Sequence, residues 1–426
     1  MALVLFGTLL LMLIINVPIG ISMGMAVLAA LTFVDTTTSS MIIAQRMFTA
    51  VDNFPFMAVP FFILAGDLME RGGISKRLIN FAKALLGKLP ASLSIITTTA
   101  SAFFGAISGS NPATVAAIGG LMIPAMTKAG YPKDKAAAIA AASGTLGVVI
   151  PPSISMITYA VVASVSVGSM FIAGIVPGLL LASGIILVSV ITCSKYEKSG
   201  TDTIGFVNLF KSFREAIWAL LMPVIILGGI YGGIFTPTEA AAVSCVYAFL
   251  VSKFIYRELK YSELRGIFAK SATSTAIVLF IVAVSSSFSW LMTSAGVPGQ
   301  IAGFMLDSFQ NKYIIFIMIN ISLLLLGCFL ETQSIILLMT PILLPLAMQL
   351  GIHPVALGLI IIINTSVGMI TPPMAVNLFV ASGISKVSIE QISKRIIPYF
   401  LVLVGILLML TYFSDVIMWL PNLLGK

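Results

Sequence analysis

Long apolar runs, interrupted by glycine, proline and short polar clusters, fill most of the chain. They fall at about 2–16, 19–34, 54–70, 91–127, 136–164, 170–194, 216–235, 238–252, 271–295, 313–350, 355–383 and 396–420. A single membrane crossing needs roughly 20 apolar residues, so 91–127 and 313–350 are too long for one. Each carries helix-breaking or polar residues in its middle: Gly105, Ser108, Gly109, Ser110, Asn111 and Pro112 in the first, and Gly327, Glu331, Thr332 and Gln333 in the second. Both read as re-entrant hairpins that enter and leave on one side. Asn16-Val17-Pro18 divides 2–34 into two short helices, with one long tilted helix as the alternative.

The two halves match. Adding 221 to Pro124, Gly130, Gly147 and the pair Pro151-Pro152 gives Pro345, Gly351, Gly368 and Pro372-Pro373. A constant offset of this kind marks an internal repeat. The register drifts slightly nearer the start of each half, where Pro18 faces Pro237 and Gly73 faces Gly296. Repeat 1 spans 1–200, with a hairpin at about 91–127 and a broken helix at about 136–164. A cytoplasmic linker, 201–215, leads to repeat 2 at 216–426, with its hairpin at about 313–350 and broken helix at about 355–383. With five crossings and one hairpin per half, 20 of the 23 lysines and arginines collect on one side, leaving Arg46, Lys312 and Lys426 opposite. The basic side is cytoplasmic. Five is odd, so the second repeat is inverted relative to the first. Its hairpin opens outward, whereas the first opens to the cytoplasm. Segments 75–88 and 256–270, apolar on one face and basic on the other, read as amphipathic arms at the cytoplasmic headgroup level.

Composition sharpens this picture. At 59% hydrophobic, 9% charged and a mean hydropathy of +1.12, the chain cannot coat a soluble globule, and the fold class is an all-α polytopic membrane protein. The net charge of +8 is spread over short loops, which fits membrane topology better than nucleic-acid binding. Cys193, Cys245 and Cys328 lie in or beside apolar runs without a CxxC or a histidine cluster, and read as packing residues. The N-terminal run lacks a basic region and a small-residue cleavage site, so it reads as a retained helix. HExxH, GxSxG and a Walker A lysine loop are absent from the sequence, so enzyme and ATPase readings are weak, and energy would come from an ion gradient or a partner.

The candidate chemistry sits at the breaks. In Gly147–Ser153 (GVVIPPS) and Gly368–Met374 (GMITPPM), the paired prolines lack N–H groups. They free the carbonyls of Gly147 and Val148, and of Gly368 and Met369, for a hard monovalent cation. The half-helices that follow begin with positive dipole ends suited to an anionic group. Ser108, Ser110 and Asn111 add hydroxyl and amide oxygens at the first hairpin tip, and Glu331 is an ionisable residue at the second. His353 lies near the outer surface, Thr236-Pro237-Thr238-Glu239 reads as a capping box, Asp67, Glu70 and Arg71 as anchors, and Trp290 and Trp419 as packing or interface residues.

Four segments carry a family resemblance: FFILAGDLMERGGISKRL (61–78), FGAISGSNPATVAAIG (104–119), GTLGVVIPPS (144–153) and NTSVGMITPP (364–373). They resemble the large membrane subunit of tripartite ATP-independent periplasmic (TRAP) transporters, the DctM-like family, and the match covers essentially the whole chain. The resemblance implies a bacterial inner-membrane importer of organic acids such as C4-dicarboxylates or sialic acid, coupled to sodium and without a bound cofactor. It would work with a small four-helix membrane subunit and a periplasmic substrate-binding protein. It implies an elevator architecture, with one sodium site at Ser108, Ser110, Gly147, Ile150 and Pro152 and a second near Gly327, Gly368, Thr371 and Met374. Candidates along the substrate path are Asn111, Ser153, Ser155, Glu331 and Asn377, although the family often has aspartate where Glu331 stands. A self-sufficient sodium/dicarboxylate-type symporter is the alternative.

Overall fold

Glycines in the left-handed region mark where the two halves turn in the same way. The computed structural model describes residues 1–34, 39–194, 196, 206–309, 311–372 and 375–425, which form helices joined by short loops. The first half comprises α1 (Ala2–Ile14), α2 (Ile19–Phe33), α3 (Met41–Val51), α4 (Ala58–Arg71), α5 (Ile74–Leu86), α6 (Ser92–Ser108), α7 (Asn111–Thr114), α8 (Gly120–Lys128), α9 (Lys133–Gly144), α10 (Ile154–Val162) and α11 (Val167–Cys193). The second comprises α12 (Phe206–Tyr231), α13 (Pro237–Leu250), α14 (Tyr261–Ser294), α15 (Val297–Ser308), α16 (Lys312–Phe329), α17 (Thr332–Gln349), α18 (Pro354–Gly368), α19 (Val376–Ser385) and α20 (Ile389–Tyr412), followed by α21 (Asp415–Leu423). Among the described residues seven helices are long and apolar enough to cross a membrane, or eight if α3 and α4, bent by 64°, form one span.

The repeat is visible in individual hydrogen bonds. Gly130 and Gly351, at φ +96° and +80°, close the two hairpins. Beside them Tyr131 N donates to Met126 O at 3.0 Å and Ile352 N to Ala347 O at 2.9 Å, the same bond displaced by 221 residues. This is the carbonyl-capping pattern that a left-handed residue allows at a helix C-terminus. Gly73 and Gly296, at φ +75° and +69°, likewise open α5 and α15. Packing is exchanged between halves: α2 lies on α14, and its counterpart α13 lies on α4, the swap that a pseudo-two-fold axis generates.

One local reading holds and two change. α1 and α2 pack against each other across the break at Asn16, which has φ +65°, so 2–34 is two helices. α12 starts at Phe206, inside the stretch read as a linker. Segment 256–270 is not a separate arm from Tyr261 onward, because a 34-residue helix, about 51 Å at 1.5 Å per residue, carries it straight into the membrane. The repeat partner of the cytoplasmic arm α5 is instead α15, on the opposite side as inversion requires. α5 itself is held by Arg77, which pairs with Glu258 at 2.7 Å and stacks on Tyr256 at 3.8 Å.

α4 and α13 run parallel and form the spine on which both halves rest. Thr238 Oγ1 donates to Phe54 O at 3.0 Å, Cys245 Sγ to Phe61 O at 2.8 Å and Ser252 Oγ to Leu68 O at 3.2 Å. The donors and the acceptors are each seven residues apart, so one stripe of small polar side chains meets one stripe of carbonyls, a packing mode suited to lipid, where apolar contact alone gives helices little reason to associate. Cys245 is thereby a packing residue, and all three cysteines are free thiols. Since interhelical side-chain bonds in membranes average ~0.6 kcal/mol, the combined variant Thr238→Ala, Cys245→Ala, Ser252→Ala should lose about 2 kcal/mol of stability and each single variant under about 1 kcal/mol. Unfolding of the purified protein in detergent checks this, and an unchanged triple variant would show that the stripe is incidental.

Candidate functional site

Two glycine crossings bring each hairpin against its own broken helix. A Cβ built on Gly105 would lie 2.9 Å from Gly147 Cα, and one on Gly368 would lie 2.6 Å from Gly327 Cα. Neither distance is tolerable for a real side chain, so at both places backbone meets backbone because glycine leaves room. The chain between α9 and α10 is a 3₁₀ turn, Thr145–Val148, followed by irregular backbone to Ser153. Around the second break, Pro373 and Met374 lie outside the described residues.

The two crossings join at the pseudo-two-fold axis. Ser366 Oγ donates to Thr145 O at 2.6 Å, and these residues are repeat mates, 221 apart. A residue bonded to its own mate lies beside the axis. Asn111, at the first hairpin tip and fully buried, donates from Nδ2 to Ser366 Oγ at 2.7 Å and accepts from Val148 N at 2.9 Å through Oδ1. One amide thus ties the first hairpin to both broken helices. Thr332, at the second tip, points its Oγ1 to Met369 Sδ at 3.7 Å.

Oxygen atoms converge beside this junction in the first half. Ser108 Oγ lies 3.2 Å from Thr114 Oγ1, which donates to Ser110 O at 2.7 Å. A Cβ on Gly147 would fall 2.5 Å from Ser110 O and 2.8 Å from Thr114 Oγ1, so Gly147 lies directly against them. Among the described residues no backbone N–H outside the helices donates to the carbonyl of Gly147 or Val148. Ser108, Ser110 and Gly147 are therefore brought together, and Thr114 joins them. Ile150 packs its side chain against Gly178 on α11, and Pro152 lies in the turn beyond. Hydroxyl and carbonyl oxygens alone suit a hard cation of low charge.

The second half is built differently from the expectation. Gly327 and Gly368 touch, but Gly368 O accepts from Thr371 N at 2.9 Å and Met369 O from Asn377 N at 3.1 Å. The carbonyls read as freed by the prolines are taken up because the chain tightens after Gly368 and the first turn of α19 reaches back. Thr371 Oγ1 is bonded to Val367 O at 3.0 Å.

A cavity of about 380 Å³ opens between the hairpin tips and the scaffold and reaches Asp67, Glu70 and Lys270, at the helix ends that the basic-residue bias assigns to the cytoplasm. Ser108, Ser110, Asn111, Ser155 and Glu331 line one wall, and Asp67, Glu70 and Lys270 the other. Ser155 Oγ accepts from Gln333 Nε2 at 3.2 Å, linking α10 to the second hairpin. Ser153 Oγ, Gln333 Oε1 and Asn377 Oδ1 are buried acceptors or hydroxyls with no bonded partner. Ser153 and Asn377 themselves stand behind the cavity wall, with Asn377 Nδ2 donating to Ala141 O at 3.3 Å.

Several residues take other roles than the sequence suggested. Asp67 and Glu70, read as anchors, face the cavity and hold Lys270 Nζ at 2.6 and 3.4 Å, with Ser271 Oγ also donating to Asp67 at 2.6 Å. Their position near a helix end pointed to the membrane surface, but the cavity reaches that far. Thr114 and Ser366 were missed as isolated hydroxyls in apolar helices, although the offset pairing Ser366 with Thr145 was a usable signal. His353 accepts from Val355 N at 3.2 Å and caps α18. Glu239 completes its capping box with Thr236.

Inverted halves whose re-entrant hairpins and broken helices meet at a shared axis define the architecture of a membrane secondary transporter. The chain belongs to the TRAP large-permease family: the family model described as "Tripartite ATP-independent periplasmic transporter, DctM component" matches residues 6–416. It is 41% identical to the C4-dicarboxylate TRAP transporter large permease protein of Rhodobacter capsulatus, over 100% of this chain and 99% of that protein. It is 44% identical to the isethionate TRAP transporter permease protein DctMQ of Oleidesulfovibrio alaskensis, covering 96% of this chain and 64% of that longer protein. Identity to the sialic acid TRAP transporter large permease protein of Vibrio cholerae is 36%, over 96% and 95%. The fold is shared with the YdaH transporter of Alcanivorax borkumensis, at a TM-score of 0.62, 15% identity and 86% coverage of both chains. Its place is therefore the bacterial inner membrane, as a multi-pass protein.

Overpacking a tight backbone contact costs roughly 1–3 kcal/mol, so Gly368→Ala should lower the unfolding midpoint of the purified protein clearly. Gly120→Ala, where a Cβ meets nothing within 4 Å, should not. Equal behaviour of the two variants would contradict the glycine crossing.

Proposed function

We propose that this chain is the permease of a sodium-coupled importer of a small organic anion, handed over by a periplasmic binding protein and assembled with a small membrane subunit. The observation that carries the reading is the cluster of Ser108, Ser110 and Thr114 oxygens packed against Gly147 beside the hairpin junction, next to a cavity that separates that junction from the scaffold. Sodium bound there ties the tip of the first hairpin to the break between α9 and α10, and so makes closure of the hairpin depend on the ion. The hairpins and broken helices then move as one body past the α4–α13 spine, the elevator motion. Relatives are named for C4-dicarboxylates, isethionate, 2,3-diketo-L-gulonate and sialic acid, all of them organic anions. The identities to the C4-dicarboxylate and isethionate permeases, 41% and 44%, put those two ahead of sialic acid, at 36%, as first cargoes to test.

The test is uptake of labelled succinate, isethionate and sialic acid into proteoliposomes holding the chain with its small subunit. Uptake of one of them that needs both an inward sodium gradient and the binding protein supports the reading. Uptake by this chain alone would favour a self-sufficient symporter, and uptake driven equally by protons would remove the sodium site.

The geometry also separates Ser110 from Thr114. Ser110 contributes its carbonyl, whereas Thr114 contributes a hydroxyl in contact with it. Thr114→Ala should raise the sodium concentration for half-maximal uptake about tenfold, as the loss of one ligand worth roughly 1.4 kcal/mol would, while Ser110→Ala stays near the parent. The reverse order in a sodium titration would show that the side chain of Ser110, not its carbonyl, is the ligand.

A further inference from the structure

Two cavities between the scaffold and the body that carries the hairpins are lined by opposite charge. Toward the opposite end of α14 from Lys270, the end that the basic-residue bias assigns to the outside, a second cavity of about 420 Å³ lies between α3 and α14 of the scaffold and α10 and α17 of the body that carries the hairpins. It is lined by Arg46, Asn53, Ser286, Ser289, Trp290 and Thr293 among others, and among the described residues no carboxylate lines it. Arg46 lies over the Trp290 ring, 5.4 Å from its centroid. The inner cavity has three carboxylates, Asp67, Glu70 and Glu331, against one lysine, Lys270, which Asp67 and Glu70 already hold. Arg46 and Lys270 are carried by repeat-related helices, since α3 and α4 together occupy the place in the first half that α14 occupies in the second. Inversion thus puts one cation on each face, but only the inner one is neutralised within its cavity.

We propose that the outer cavity is a capture site for the anionic cargo, with Arg46 as its charge-recognising residue and the hydroxyls of α14 completing the contact. It rests on the organic-anion reading above. A guanidinium presents paired N–H donors to a carboxylate or sulfonate, and a cleft walled by protein strengthens that attraction relative to open water. Retention of positive charge outside and of net negative charge inside favours entry of an anion at one face and its departure at the other. Arg46 is also an exception to the collection of basic residues on the cytoplasmic side, and a charge kept against that bias on a cavity wall is better explained by a ligand than by topology.

The experiment uses the assembled complex in two readouts. In the background Trp218→Phe, Trp419→Phe, Trp290 is the permease's remaining tryptophan, and with the small subunit's own tryptophans replaced its fluorescence is followed as succinate, isethionate or uncharged glycerol is added. A saturable change with an anion, absent with glycerol, lost in Arg46→Gln and partly kept in Arg46→Lys, is the expected result. In proteoliposomes Arg46→Gln should raise the KM for the transported anion about tenfold, the effect of losing roughly one charge-assisted contact, with Vmax little changed and the small subunit still co-purifying. An unchanged KM and an unchanged Trp290 titration in Arg46→Gln, with the parent transporting normally, overturn the capture site and leave the organic-anion reading standing. A raised KM without an anion-dependent Trp290 signal assigns Arg46 to docking of the binding protein and overturns the site as well. A parent complex that takes up none of the anions overturns the functional reading itself.

Discussion

Buried polar groups inside a membrane protein must be satisfied by the protein, and here that demand converges on one amide. Asn111 is fully buried, gives its N–H to Ser366 and takes the N–H of Val148, while Ser366 passes its hydroxyl proton to the carbonyl of Thr145. Leaving any of these groups unbonded costs about 1–3 kcal/mol, so the hairpin tip and both broken helices hold one another in place. The glycine crossings, the oxygen cluster and the cavity all take their positions from that junction. It sits on the pseudo-two-fold axis because only there can a residue reach its own repeat mate.

The two halves are related without being equivalent. In the first, the carbonyls of Gly147 and Val148 have no backbone N–H partner outside the helices among the described residues, whereas in the second those of Gly368 and Met369 are bonded to Thr371 and Asn377. The prolines are alike, but in the second half Thr371 and Asn377 reach back to the carbonyls that stay available in the first. The scaffold differs too. α3 and α4 bend by 64° where α14 is one unbroken helix of 34 residues, and the spine of α4 with α13 carries a stripe of side-chain bonds at every seventh residue. Inverted symmetry sets the plan, and local sequence sets the chemistry on each side of the membrane.

Much of the architecture was legible in the sequence because membrane solvation writes itself in long apolar runs and because a repeat offset survives in prolines and glycines. Gly130 and Gly351 were recognisable as a pair, and they make the same turn. The segment 256–270 was misread because charge on one face looks the same in a surface arm and in the cytoplasmic end of a long helix. Only packing distinguishes them. Asp67 and Glu70 were read as anchors for a related reason: distance along a helix from its end says little about how deep an aqueous cavity penetrates. Thr114 was invisible as a site residue because its role comes from touching the Ser110 carbonyl, a contact set by the hairpin geometry, in which α7 runs on into a π-helical turn at Val115–Gly119.

The central claim is that the hairpins and broken helices form one body that travels past the spine when the sodium cluster and the anion are engaged. Spin labels measure it directly, on Leu121 of the first hairpin, Met348 of the second and Phe268 of the scaffold, all exposed positions, in a background without the native cysteines. The account predicts that the Leu121–Met348 distance stays constant while both distances to Phe268 shift together when sodium and the transported anion are added. A changing Leu121–Met348 distance with a fixed frame to Phe268 would contradict it.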